Sequence, residues 1–187
     1  MNTVTENLNL KWANFIADEL VKRGVRICSM SSGSRNSLLV AAFARHELIE
    51  TIVHFDERGS AFYALGRARA SGQTCAWITT SGTAVANGFP AVVEASNANV
   101  PLLLLTADRP PELRDAGANQ TIDQVKIFGD NVRWFADLPC PSSEIPLEYL
   151  LTTIDQAVHR TRVAPSGPVH LNVMFRDPLI TGDKMFS

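Results

Sequence analysis

The chain is short of most features that mark a specialised class. It has three cysteines in 187 residues. Cys28, Cys75 and Cys140 are far apart and odd in number, which argues against a disulfide framework or a zinc site. They read as reduced core thiols. No apolar run approaches the roughly 20 residues needed to span a bilayer, and the polar N-terminus is unlike a secretory signal. The expected location is the cytoplasm, without a membrane partner. A formal net charge of −2 gives no bulk attraction to nucleic acid or to an anionic membrane. GxGxxG and GxxxxGK[ST] are missing, which argues against a dinucleotide fold and a P-loop. GxSxG is missing too, so there is no nucleophile elbow. His46, His54, His159 and His170 lack metal-ligand spacing and read as structural, and no metal ligand is expected in this chain.

What is present is an ordinary folded composition, 45% hydrophobic and 19% charged. Leu8, Trp12, Phe15, Ile16 and Leu20 recur at helical spacing, with Gly24 as a stop. Strands are expected at Val25–Met30, Thr51–Phe55, Cys75–Thr79, Pro101–Thr106, Val132–Ala136 and Val169–Met174. Helices are expected at Asn36–His46, Glu57–Ala70 and Ala84–Ala95, where Pro90 should kink the last or confine it to a special packing site, and through Leu147, Leu150, Leu151, Ile154 and Val158. This alternation predicts an α/β domain with a mostly parallel central sheet covered by helices on both faces. The domain is expected over residues 1–180, with a tail or linker at 181–187. Residues 107–128 break the rhythm, and patternless loops of that length are usually functional or mobile.

Three strand-to-helix turns carry small hydroxyl residues, glycine or carboxylates: Ser31-Ser32-Gly33-Ser34, Asp56-Glu57-Arg58-Gly59 and Thr80-Ser81-Gly82-Thr83. Ser34, Asp56 and Ser81 read either as N-caps, each stabilising its helix by about 1 kcal/mol, or as parts of a binding edge. Ligands of open α/β sheets bind at that edge. Glu57 is either a first-turn helix residue or a proton-transfer group. Arg109 with Arg114 is either a carboxylate clamp or a solvated loop. One reading is a stand-alone binding module for a small anionic ligand or a partner subunit.

The assembled motifs resemble one family. Ser32-Gly33-Ser34-Arg35, His54-Phe55-Asp56-Glu57-Arg58-Gly59, Thr80-Ser81-Gly82-Thr83-Ala84-Val85-Ala86-Asn87, Thr106-Ala107-Asp108-Arg109-Pro110-Pro111-Glu112-Leu113 and Gly117-Ala118-Asn119-Gln120 stand in its order. Together they are similar to the N-terminal pyrimidine-binding domain of the 2-succinyl-5-enolpyruvyl-6-hydroxy-3-cyclohexene-1-carboxylate synthases, thiamine-diphosphate enzymes of menaquinone biosynthesis. The resemblance covers about Leu8 to Leu179. It implies a three-layer fold, and a reaction that decarboxylates 2-oxoglutarate and adds the succinyl-semialdehyde unit to isochorismate. It implies Glu57 as the acid that activates the cofactor, with Ser81, Gly82 and Thr83 at the pyrimidine pocket. Ser34, Arg35, Arg109, Asn119 and Gln120 match positions that bind substrate carboxylates or the intermediate. The family usually has proline where this chain has Ser32, and the turn is expected to keep its shape. Thiamine diphosphate and Mg²⁺ are implied for the full-length enzyme, a homodimer or homotetramer. The family's Gly-Asp-Gly motif for Mg²⁺ and diphosphate is not in this chain. The diphosphate-binding domain is therefore expected elsewhere, and this domain alone is expected to bind no cofactor and to be inactive.

Overall fold

The computed structural model describes residues 7–179. In chain order its elements are α1 (Leu8–Lys22), β1 (Ile27–Met30), α2 (Ser37–Arg45), β2 (Glu50–Val53), α3 (Glu57–Ser71), β3 (Cys75–Thr79), α4 (Thr83–Asn87), α5 (Phe89–Asn97), β4 (Leu102–Asp108), β5 (Trp134–Leu138), α6 (Leu147–Arg162) and β6 (Val169–Met174). Two 3₁₀ turns, Pro111–Leu113 and Gly129–Asn131, punctuate the long passage from β4 to β5. The expected tail at 181–187 lies outside the described residues.

The strands form one sheet in the order β2-β1-β3-β4-β6-β5. Every neighbouring pair is parallel, so the sheet is parallel throughout rather than mostly so. Successive side chains of a strand point to opposite faces. Leu103 and Leu105 of β4 therefore enter one core with α1, α2 and α6, while Leu102 and Leu104 enter another with α3 and α5. All of β4 is buried, which accounts for its nearly unbroken aliphatic run. The three cysteines are buried and unpaired, as expected of core thiols. No helix among the described residues is long and apolar enough to cross a membrane.

Several expected bounds need correction: β1 starts at Ile27 rather than Val25, β2 ends at Val53 rather than Phe55, and β4 runs on to Asp108. Val132–Ala136 forms its strand two residues later, as β5. The single helix expected at Ala84–Ala95, with Pro90 kinking it or setting its packing, is two helices, α4 and α5, joined at Gly88. Pro90 has no N–H for the Ala86 carbonyl, so the helix is interrupted just before it; the joint itself is tightly packed, since a Cβ on Gly88 would stand 2.2 Å from the Trp77 ring. Only glycine lets both helices rest on that tryptophan. Pro90 then falls in the first turn of α5, where its missing N–H has no helical partner to lose.

In this topology the turns that follow β1, β2, β3 and β4 all gather at the carboxyl edge of the sheet. The chain leaves β1 toward β2 on one side, and β3 continues on the other. The β1/β3 boundary is thus a topological switch point, the usual binding crevice of such sheets.

Candidate functional site

Glu57 is the first residue of α3, immediately after the helix cap Asp56. The Asp56 carboxylate accepts the Arg58 backbone N–H at 2.9 Å and the Arg58 guanidinium at 2.7 Å. These bonds to Arg58, side chain first, hold the Asp56 pKa down at about 2. Asp56 is thereby committed to the helix, and Glu57 is not. Glu57 is half-buried. One carboxylate oxygen, Oε2, accepts the Asn87 side-chain amide at 3.1 Å. Its other oxygen has no hydrogen-bond partner among the described residues, and that open acceptor suits a ligand N–H. Asn87 stands in a motif run of the sequence, but nothing there marked its role. Only the packing of α4 on α3 brings it to Glu57.

The turn after β1 is not capped by Ser34. Asn36 is the cap residue of α2, and its side chain reaches backward. Its oxygen accepts the Gly33 N–H at 2.7 Å and its amide donates to the Ser31 carbonyl at 2.8 Å. A Cβ on Gly33 would lie 2.6 Å from Thr80, so this turn and the one after β3 touch. Asn36 thus supplies the stiffness that a proline at Ser32 would give. Arg35 is buried. It donates to the Phe175 carbonyl at 2.9 Å and to Asp177 at 3.0 Å, and its buried Nε has no partner.

Ser81 does not cap α4 either. The cap position is Gly82, at φ +81°. The buried Ser81 hydroxyl donates to the Gln120 carbonyl at 3.1 Å, and the Gln120 side-chain amide donates to the Ser81 carbonyl at 3.2 Å. The Arg109 guanidinium donates to the Ser81 hydroxyl and, at 2.7 Å, to the Gln120 carbonyl. Burial, and then the neighbouring Arg35 charge, lower the Arg109 pKa. Ser81, Gly82, Arg109 and Gln120 therefore form one interlocked cluster, with the Arg35 cation beside it. Ser34, Thr83 and Asn119 are exposed, and their side chains make no hydrogen bonds among the described residues. Glu57 and Asn87 form a separate pair on the α3 and α4 helices.

Behind the cluster lies a buried polar network that the sequence did not flag. Asn172 donates to Asp108 and to Asp137, both at 2.8 Å. It accepts the Thr106 hydroxyl at 2.9 Å and the Gln124 amide at 2.8 Å. Arg114 donates to Asp108 at 3.2 Å and to Asp137 at 3.0 Å. It serves the network, which favours neither the carboxylate clamp nor the solvated loop expected of it. Burial raises the Asp108 pKa, against the opposing pull of Asn172. A cavity of about 370 Å³ opens inside the loop, lined by Leu113, Arg114, Gly117, Thr121 and Ile122 among others, and Glu57 is not among them. No group of three or more His, Cys, Asp or Glu side chains arranged to hold a metal ion occurs among the described residues.

Comparison with known proteins bears on this edge. Residues 10–127 match the family described as thiamine pyrophosphate enzyme, N-terminal TPP binding domain. A 2-succinyl-5-enolpyruvyl-6-hydroxy-3-cyclohexene-1-carboxylate synthase of Salinibacter ruber is 62% identical over 168 residues, 90% of this chain and 28% of the relative. The synthase of the same name from Rubrobacter xylanophilus is 54% identical over 180 residues, 96% of this chain and 31% of the relative. That of Chloroflexus aurantiacus is 55% identical over 169 residues, 90% and 29%. The chain thus spans less than a third of the length of these curated relatives. With a parallel sheet, a carboxylate at its switch edge and a family match over most of its length, the chain belongs to the thiamine pyrophosphate enzymes, as an N-terminal TPP binding domain.

Proposed function

We propose that this chain is the pyrimidine-binding part of a longer synthase of menaquinone biosynthesis. That enzyme decarboxylates 2-oxoglutarate with thiamine diphosphate and adds the succinyl-semialdehyde unit to isochorismate. The observation that carries the reading is Glu57: a half-buried carboxylate at the sheet edge, with one oxygen held by Asn87 and the other open. The relatives' shared name supports the choice of reaction.

When bound, the cofactor supplies the carbon chemistry. The chain's residues bind and orient. Glu57 meets the aminopyrimidine with its open oxygen and holds or gives a proton there, a role in which positioned carboxylates contribute about 10²–10⁴-fold. Asn87 fixes the rotation of that carboxylate. Thr83 stands exposed beside it, at the start of α4. Ser81 and Gly82 act from behind, shaping the turn rather than touching the ligand, because their hydroxyl and N–H are already engaged. Arg109 and Arg35 supply positive charge for the substrate carboxylates, which guanidinium groups pair with bidentately. Ser34 and Asn119 offer uncommitted side chains at the rim.

Mg²⁺ and the diphosphate fall to the remainder of the longer protein, a homodimer or homotetramer of the cytoplasm. We assign residues 1–180 to the domain and 181–187 to a tail or the start of a linker. The test is product formation by the longer protein with thiamine diphosphate, Mg²⁺, 2-oxoglutarate and isochorismate. We expect carbon dioxide and the adduct together, and neither when the cofactor is left out. Absence of product with the complete mixture overturns the reading, as does robust turnover by these 187 residues alone.

A further inference from the structure

We propose that Gln124 is the positioning residue of this site: its buried amide fixes the loop that carries Arg109, Asn119 and Gln120 against the Ser81-Gly82 turn. The proposal rests on the reading of the site given above. The passage from β4 to β5 holds only two 3₁₀ turns, and segments so poor in regular structure open easily unless something ties them down. Gln124 lies within this passage and is fully buried. Three of the four hydrogen-bonding positions of its amide are filled. Oε1 accepts the Gly82 N–H at 2.9 Å, and Nε2 donates to the Ala107 carbonyl at 3.2 Å and to Asn172 Oδ1 at 2.8 Å. One side chain thus joins the loop to β4, to β6 and to the cap of α4.

The polarity of this junction has one solution. Ionised carboxylates only accept hydrogen bonds, so Asp108 and Asp137 turn the Asn172 amide nitrogen toward themselves. Asn172 Oδ1 is then left facing Gln124 and Thr106. Gln124 must offer its nitrogen there, which aims its oxygen at the Gly82 N–H. That N–H is one of the donors a helix start leaves without a helical partner. Gly82 also admits no side chain: its φ is +81°, and a Cβ would lie 2.9 Å from the Gln120 carbonyl. Turn and loop meet through Gly82 on one side and Gln124 on the other.

A glutamate at 124 keeps the shape and reverses the polarity, setting a carboxylate oxygen against two acceptors. Methionine keeps the volume and removes every bond. Glu57 and Asn87 lie on helices and make no hydrogen bond to the loop, so a loosened loop raises substrate KM more than it lowers kcat.

The test uses the longer protein carrying Gln124→Glu or, where that fails to fold, Gln124→Met. Thr161→Val serves as control, because Thr161 is buried on α6 and bonded to Thr74, away from the site. In the Gln124 variants, amide exchange at Gly82 and across 109–128 should quicken about tenfold or more, with β4 and β6 unchanged. The KM for 2-oxoglutarate or isochorismate should rise about tenfold, with kcat within about threefold of the parent. The control should change neither. Parental exchange and KM overturn the proposal, as does exchange that quickens evenly through the sheet, or a fall in kcat alone. If no variant or parent makes product, the reaction assigned above fails, and the exchange pattern alone decides the role of Gln124.

Discussion

Two parts of one sheet edge are finished in opposite ways. Around the β1/β3 boundary, polar atoms are left open. Among the described residues, the Ser31 and Thr79 hydroxyls and the Arg35 Nε are buried without partners, and Glu57 keeps a free carboxylate oxygen. At the β4/β6 boundary, Asn172 fills all four of its hydrogen-bonding positions and Gln124 three of its four, while Arg114 Nε and His170 Nδ1 are left without partners among the described residues. Buried polar groups without partners destabilise a fold, and full networks rigidify it. The open side, where Glu57 keeps an uncommitted oxygen, is where a ligand gains most, and the densely bonded Asn172–Gln124 junction is the frame that holds it still.

The largest effect should come from breaking the frame. Asn172→Leu leaves Asp108 and Asp137 without their amide donor in a buried setting, which should cost about 3 kcal/mol of folding stability. Denaturant unfolding measures it, and a loss under about 1 kcal/mol would dissolve the contrast. Next comes a pH effect from the same side. His170 is fully buried beside Thr106, and burial pushes its pKa down from 6.5 to about 3. The unfolded chain takes up that proton near pH 6.5 and the folded chain does not. Stability is therefore fully present above 6.5 and falls as the pH drops toward 3, by up to about 1.4 kcal/mol per pH unit. Between about pH 6.5 and 5 the sum is about 2 kcal/mol, and His170→Gln should flatten that stretch of the unfolding curve. An equal slope in the variant would show that the imidazole is not the source. The smallest of the three belongs to the open side. Asn87→Ala frees the Glu57 carboxylate to rotate and should lower kcat of the longer enzyme about tenfold, with the melting temperature little changed. A melting temperature that falls with kcat unaltered would move Asn87 from the site to the frame.

Much of the open side was legible in the sequence. Cys75–Thr79 is a strand with the expected ends, because the apolar and β-branched residues there run into a clear turn signal. The Glu57 turn follows from β2 and the Ala-rich helix behind it, and Asp56 caps as expected. The frame was not legible. Asn172 interrupts a strand that otherwise reads as core, and Gln124 is one amide in a polar loop. Their meaning arises only where β4 and β6, 64 residues apart at the Asp108–Asn172 bond, become neighbours. The cap expected at Ser81 failed for a related reason, since its hydroxyl is spent on Gln120, 39 residues away. At Ser34 the reason is local: Asn36 takes the cap position and binds the turn through Gly33 and Ser31. The helix break before Pro90 was legible locally, whereas the need for glycine at 88 depends on Trp77, which no local window contains.

The central claim is that Glu57, not its neighbour Asp56, is the working carboxylate of this edge. Glu57→Gln in the longer protein, assayed for product with saturating thiamine diphosphate and both substrates, tests it most directly. The carboxamide keeps the shape but cannot exchange a proton near neutral pH, so kcat should fall about 100-fold or more, with the melting temperature close to the parent's. Turnover at the parent's rate in that variant would contradict the account.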